Sequence, residues 1–396
     1  MSIERIARMT PSVTIVMEGI VADLKAQGVD VIGLNAGEPD FDTPAHIVQA
    51  CTRAMEEGKT RYINVTGIPQ LRQAICQKLQ KDNGAVYTPA QICVSTGAKQ
   101  ALNNAILTTV QPGDEVIIPK PCWVSYVEIV KLADGVPVLV DTDPATFQLD
   151  LEAISRAITP RTRAILLNTP NNPTGAVYTR ESLEALGRLA VEHDFYIISD
   201  EVYEKLIYGS GEHVSPASLG EEVQAHTIVV NGFSKAYAMT GWRIGYTAAP
   251  PDIAKDIAAL QGHTTSNSTT FVQWAALAAL EGPQDELERM RREFDRRRLY
   301  MVERLRKMPG ITCPDADGAF YLMPDVSSYY GKTTPGGQVI ADSAAFCNYI
   351  LEEAHVAFVP GAAFEIPSAV RIAYSNSLEK IREGMDRMEA ALAKLS

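Results

Sequence analysis

Seven short apolar runs, with helix-length segments between most of them, constrain the fold more than any other feature of this chain. They cover residues 91–94, 115–118, 136–140, 164–167, 195–198, 227–230 and 244–248. Runs of that length, separated by helical patterning, read as βαβ units on a mostly parallel sheet buried on both faces. Ahead of them, Ile15, Val16, Ile20, Val21 and Leu24 recur at helical spacing. Residues 29–34 then form a strand-like run that ends in a Gly, Pro and Asp loop. Beyond the last run, residues 284–308 form a long charged helix. Its pairs Asp285 with Arg289, Glu288 with Arg292 and Glu293 with Arg297 predict a solvated helix rather than a nucleic-acid patch. Residues 318–323 and 370–374 look like strands of a second unit, and 378–395 like an amphipathic closing helix. The expected fold class is α/β. A large domain over 46–282 carries the mostly parallel sheet flanked by helices. A small α+β domain is built from both chain ends, 1–45 and 283–396.

Composition removes several function classes. Of 396 residues, 46% are hydrophobic and 21% charged, which excludes collagen-like and disordered chains. Lys and Arg number 36 against 48 Asp and Glu, so the net charge is −12. Phosphate backbones need a basic surface, so a nucleic-acid partner is not expected. No apolar run approaches the roughly 18 residues of a membrane span, and none follows the first eight residues as in a signal peptide. Cys51, Cys76, Cys93, Cys122, Cys313 and Cys347 form no C-x-x-C pair. They read as reduced, buried cysteines of a cytoplasmic protein. The six histidines are scattered, so no metal site is expected.

Four motifs sit where these runs end. Ser234-Lys235 through Gly241-Trp242-Arg243 follows run 227–230. A lysine there reads either as a surface residue or as an amine whose pKa falls on burial and which condenses with an aldehyde. Asp200 and Tyr203 follow run 195–198; Asp200 reads equally as a helix N-cap, with Tyr203 on a first helical turn. Asn172 lies in the stiff Asn171-Asn172-Pro173-Thr174-Gly175 loop after run 164–167. Ala98 and Lys99 open a helix after run 91–94, where free backbone N–H groups and the helix dipole suit a phosphate. Neither a P-loop nor a G-x-G-x-x-G fingerprint is present. In an open α/β sheet, ligands bind outside the carboxyl ends of the strands. A lysine for an aldehyde, an Asp for a ring nitrogen, Asn and Tyr for a phenolic oxygen, and Arg243 with a helix N-terminus for a phosphate together describe pyridoxal 5′-phosphate.

The chain resembles the class I aminotransferases of the fold-type I pyridoxal-phosphate family, in particular the prokaryotic aspartate aminotransferases. The resemblance runs from Asn35-Ala36-Gly37-Glu38-Pro39-Asp40 through Tyr62, Asn172-Pro173-Thr174-Gly175, Asp200-Glu201-Val202-Tyr203 and Ser234-Lys235. It continues to Arg243, Gly318-Ala319-Phe320-Tyr321, Val359-Pro360-Gly361 and Arg371. It implies Lys235 as the Schiff-base and proton-moving lysine, and Asp200 as the partner of the pyridine nitrogen. Tyr203 and Asn172 would bond the ring oxygen, and Trp123 would stack on the ring. Ala98, Lys99, Ser234 and Arg243 would hold the phosphate. Tyr62 resembles the tyrosine that reaches the phosphate of the other subunit, which implies a homodimer with shared sites. Arg371 would clamp the substrate α-carboxylate, with Gly37 and Asn172 beside it; a structural salt bridge is its ordinary reading. One departure stands out. Many relatives have a phosphate-binding serine where this chain has Gly232.

The implied reaction is transfer of an amino group from an L-amino acid to a 2-oxo acid in two half-reactions. Lys99, Ser12 and Thr14 match positions associated with a distal carboxylate, which makes aspartate and 2-oxoglutarate the leading pair. Aromatic amino acids, prephenate and alanine remain alternative substrates, and a C–S lyase an alternative reaction. The Gly37 and Arg371 clamp argues against a decarboxylase.

Overall fold

The computed structural model describes residues 4–396, with side chains from Ile6 onward; residues 1–3 of the expected amino-terminal segment lie outside the described residues. All seven central runs enter one seven-stranded sheet. Its spatial order is Ile92–Ser95, Gly245–Ala248, Thr227–Gly232, Tyr196–Asp200, Thr162–Asn168, Glu115–Lys120, Val136–Asp141. Gly245–Ala248 runs antiparallel to both neighbours, and the other adjacent pairs are parallel. Interior strands such as Thr162–Asn168 and Thr227–Gly232 are buried nearly end to end, as a sheet covered by helices on both faces requires. Thr162–Asn168, Tyr196–Asp200 and Thr227–Gly232 are in register, so Asn168 pairs with Asp200 and Asp200 with Val230. The ligand-facing ends of these strands therefore stand in one row.

The two chain ends share a second apolar cluster. Ile32 and Leu34 pack with Phe294, Leu305, Phe320, Phe346, Ile372 and Met385. Of the strand-like run at 29–34, only Ile32–Gly33 forms a strand, parallel to Val356–Ala357. Likewise only Tyr321–Leu322 of 318–323 forms a strand, against Val370–Ala373. The closing helix Leu378–Leu392 buries Ile381, Met385, Met388 and Leu392, the spacing of one apolar face.

Two helices differ from expectation. Helix Val13–Ala26 buries only Met17 and Val21. Of the predicted stripe, Val21 is buried and Leu24 partly so, while Ile15, Val16 and Ile20 are exposed, because the inward face runs through Met17 and Val21. Helix Asp285–Lys307 is not solvated all round. Leu287, Met290, Phe294, Met301, Val302 and Leu305 are buried, and so are Arg297 and Arg298. The Glu288–Arg292 and Glu293–Arg297 pairs form, but Arg289 pairs with Glu286 rather than Asp285. Arg297 donates to Asp40 at 2.7 Å and to Glu293 at 3.0 Å, and lies 4.9 Å from the Phe41 ring. It ties the amino-terminal loop to this helix, which periodicity and charge spacing do not reveal.

Arg297→Ala is expected to lower the unfolding free energy by about 2 kcal/mol, since it removes a buried, charge-assisted bond. A double-mutant cycle with Asp40→Ala, read by denaturant unfolding, should give a coupling above about 0.5 kcal/mol. A cycle that closes to zero would remove Asp40 as the partner.

Candidate active site

A cavity of about 270 Å³ opens where the row of strand ends meets the segment shared by the two chain termini. Asp200 ends its strand there at 4% exposure. Its carboxylate accepts from Tyr126 Oη at 2.8 Å and from the Val202 N–H at 3.3 Å. Burial raises its pKa to about 6, against the pull of those two bonds and of Lys235. The segment after Asp200 is a turn, not a helix, so Asp200 is not an N-cap and Tyr203 is not on a helical turn. Tyr203 Oη lies 2.9 Å from Tyr321 Oη, and burial holds both phenols above their usual range. Asn168 donates to the Asp200 carbonyl at 3.0 Å and accepts from the Asn172 N–H at 2.7 Å. That pair of bonds fixes the Asn172 loop relative to Asp200.

Lys235 follows Thr227–Gly232 and donates to the Gly37 carbonyl at 2.6 Å. Burial lowers its pKa to about 8; Glu38 opposes this, and the Arg371 and Arg243 charges add to it. Next to it, Gly97 precedes helix Ala98–Thr109 with φ of +82°. A Cβ at Gly97 would stand 2.5 Å from Arg243 Nη2, so only glycine permits that approach. Arg243 is itself left-handed, at φ of 53°, and is braced by its bond to the Thr240 carbonyl at 2.9 Å. A Cβ at Gly232 would meet the Ile244 carbonyl at 3.2 Å and Ala98 Cβ at 3.4 Å. The departure at 232 thus goes with close packing of this strand on the helix start. Ser234, Ala98 and Lys99 line the same end of the cavity.

Arg371 enters from Val370–Ala373 at 2% exposure. It donates to Asn172 Oδ1 at 3.0 Å and to the Asn35 carbonyl at 2.8 Å. Its guanidinium lies 4.6 Å from the Tyr321 ring and 5.0 Å from the Phe364 ring. Its Nε is buried with no acceptor, and burial lowers its pKa. No carboxylate pairs with it among the described residues, so the salt-bridge reading fails and a planar anion suits its fork. Trp123 is partly buried, edge-on to Tyr126 at 5.4 Å, with Lys99 Nζ 4.7 Å from its ring.

Most of the expected residues converge on this cavity: Gly37, Ala98, Lys99, Trp123, Asn172, Asp200, Tyr203, Ser234, Lys235, Arg243 and Arg371, with Thr14. Two do not. Ser12 is bonded to the Thr14 hydroxyl at 2.9 Å and stays outside, and Tyr62 is 90% exposed. Sequence reasoning missed Tyr126, Asn168, Tyr321 and Glu18, which also line it. Tyr321 lay inside the Gly318–Tyr321 stretch, but like Tyr126 and Asn168 it acts through contacts that cross between separate segments. Glu18 had only its helical offset of four from Thr14 as a signal. Glu201, Glu204 and His213 lie close enough together to hold a metal ion. They are paired internally instead: Glu201 with Ser199, Ser215 and His213, and Glu204 with Lys78.

The donor set suits a ligand with a phosphate at one end and a carboxylate partner at the other. Gly97's close approach to Arg243 makes the phosphate end, and the orphaned Arg371 Nε marks the carboxylate end. A buried Asp and a partly buried, weakened Lys line the same cavity.

Comparison with known proteins agrees with this arrangement. A family profile described as aminotransferase class I and II matches residues 29–388. An aspartate/prephenate aminotransferase of Cereibacter sphaeroides is 47% identical over 99% of both chains. An aspartate aminotransferase of Geobacillus stearothermophilus is 46% identical over 97% of both. The crystal structure of the aspartate aminotransferase from Rhizobium meliloti superposes with a TM-score of 0.96 at 42% identity, covering 100% of each chain. That of Thermus thermophilus with maleate gives 0.93 at 44% identity over 99% of each.

Asp200 carries a pH signature. Its folded pKa of about 6 lies above the ordinary 3.8, so folding stability falls as pH rises through that interval. Asp200→Asn is expected to stabilise the ligand-free protein by up to about 2 kcal/mol near neutral pH, and hardly at all near pH ~4. Thermal melts at the two pH values check this; a destabilised variant at neutral pH would contradict the burial cost.

Proposed function

The chain belongs to the class I and II aminotransferase family, and from that membership we propose that it transfers the amino group of aspartate to 2-oxoglutarate. It is an aminotransferase, and its family depends on pyridoxal 5′-phosphate. The observation that carries the substrate reading is the pairing of buried Arg371 with exposed Lys99 on one cavity. One cation suits the α-carboxylate and the other a second carboxylate.

The residues present fit the cofactor. Gly97, Ala98, Lys99, Ser234 and Arg243 would hold its phosphate, and Asp200 its ring nitrogen. Tyr203 and Asn172 would hold its ring oxygen, and Trp123 its face. When bound, pyridoxal 5′-phosphate supplies an aldehyde for the amino group and a ring that withdraws electrons from the substrate α-carbon. Asp200, kept anionic near neutral pH by the Tyr126 bond, would hold a proton on the ring nitrogen. Arg371, with Asn172 fixed by Asn168, orients the α-carboxylate so that the Cα proton faces Lys235. Lys235 Nζ, weakened to about 8, takes and returns that proton near neutral pH. Thr14 would be a further hydroxyl donor for the second carboxylate, and Ser12, outside the cavity, would act only through its bond to Thr14.

Residues 46–282 act as the cofactor-holding unit, and 1–45 with 283–396 as the unit that brings Gly37 and Arg371. Tyr62, almost fully exposed on its own chain, is free to reach a partner's phosphate in a homodimer. The proposed location is the cytoplasm, in keeping with six buried, unbridged thiols. Among the described residues, no helix is long and apolar enough to cross a membrane. The prephenate named for the Cereibacter relative makes prephenate the second substrate to assay.

Lys235→Ala should lower turnover at least about 10³-fold and abolish the visible absorbance of the holoenzyme. Normal turnover in that variant would sink the assignment. Lys99→Ala should lower kcat/KM for aspartate about tenfold while leaving alanine nearly unchanged. Equal loss with both donors would place Lys99 on the phosphate alone.

A further inference from the structure

The cavity holds a charge that the reaction does not call for. Glu18 lines it from helix Val13–Ala26, one helical turn after Thr14. Met17 and Val21 seat that helix in the apolar cluster formed with Val31, Leu351 and Ala357, so the Thr14 and Glu18 face is presented to the cavity. Among the described residues, Glu18 has no hydrogen bond and no ion pair. Its charge is nonetheless felt at Arg371 and Tyr321, deep in the same cavity. Lys99, exposed like Glu18, is a cation lining the same cavity.

We propose that Glu18 is a specificity-determining residue, a like charge at the cavity mouth that disfavours a second carboxylate and admits donors with neutral distal groups. The reading rests on the proposed aminotransferase reaction with a dicarboxylate donor. With the α-carboxylate on Arg371, a substrate side chain extends toward the opening that Thr14, Glu18 and Lys99 share. Lys99 attracts a distal carboxylate there, and Glu18 repels it. Their sum leaves the mouth close to neutral, which narrows the advantage of aspartate over an aromatic or aliphatic donor. A carboxylate selected by Lys99 alone would exclude such donors more strongly. Because the mouth is open to water, the effect is modest and salt-dependent.

The test is Glu18→Gln in the holoenzyme, assayed with aspartate and with phenylalanine. The ratio of their kcat/KM values should shift toward aspartate by about threefold or more, mostly through KM. The shift should shrink in high salt, and Glu18→Asp should keep the wild-type ratio. Calorimetric binding of maleate and of 3-phenylpropanoate reads the same discrimination without turnover. Glu18→Gln should tighten maleate by clearly more than it tightens 3-phenylpropanoate. An unchanged or reversed ratio, or equal loss with both donors as from a damaged fold, overturns the proposal. A wild type that binds maleate but turns over no amino acid would instead sink the aspartate reading. In that case the calorimetric comparison still decides for or against Glu18.

Discussion

Arg371 is a full positive charge held at 2% exposure, and among the described residues no carboxylate stands against it. Its bonds go to an amide oxygen and a backbone carbonyl, on Asn172 and Asn35. Dipoles of that kind compensate only part of the cost of taking a guanidinium out of water. The rest is carried by the two aromatic rings and by the packing of three chain segments that are far apart in sequence. Lys235 is a second, partly buried cation on the same cavity, and the Arg371 and Arg243 charges add to the lowering of its pKa. A chain with net charge −12 thus gathers Arg371, Lys235, Arg243 and Lys99 on one cavity. Anions that fill it recover the electrostatic energy that folding spent, so the site is tensed toward a phosphate and a carboxylate before either arrives.

How much of this was legible in the sequence depends on the range of the interaction. The central strands could be read because a buried parallel strand must be apolar along its whole length. The row of chemical groups at their ends followed from topology alone. Tyr126 was not legible in its role. Its value lies in the bond to Asp200 across 74 residues of chain, and nothing local requires a tyrosine there. Tyr321 and Asn168 escaped for the same reason. In helix Val13–Ala26 the periodicity was right but only part of the stripe turns inward: Val21 and Leu24 pack with Met17, while Ile15, Val16 and Ile20 point elsewhere. In helix Asp285–Lys307 the charges looked like a solvated surface. Arg297 is instead buried against Phe41 and Asp40, and Arg298 against Tyr208, all from other segments. Charge pattern reports neighbours on the helix, not what packs over it.

The same burial that makes Arg371 costly also sets the acid–base pair of the site. Removing water raises an acid and lowers a base, because in each case the charged form is the one that suffers. Asp200 rises to about 6 and Lys235 falls to about 8. From ordinary values of 3.8 and 10.5, the two are brought to either side of neutrality by one cause. Near pH ~7 the carboxylate is still mostly charged, while an appreciable fraction of the amine is already free. Tyr126 decides how far this goes for Asp200. Without its hydrogen bond, burial would carry the carboxyl higher and leave it protonated where an anion is needed. The fold therefore uses one physical effect for both groups and one phenol to keep the acid from following it too far.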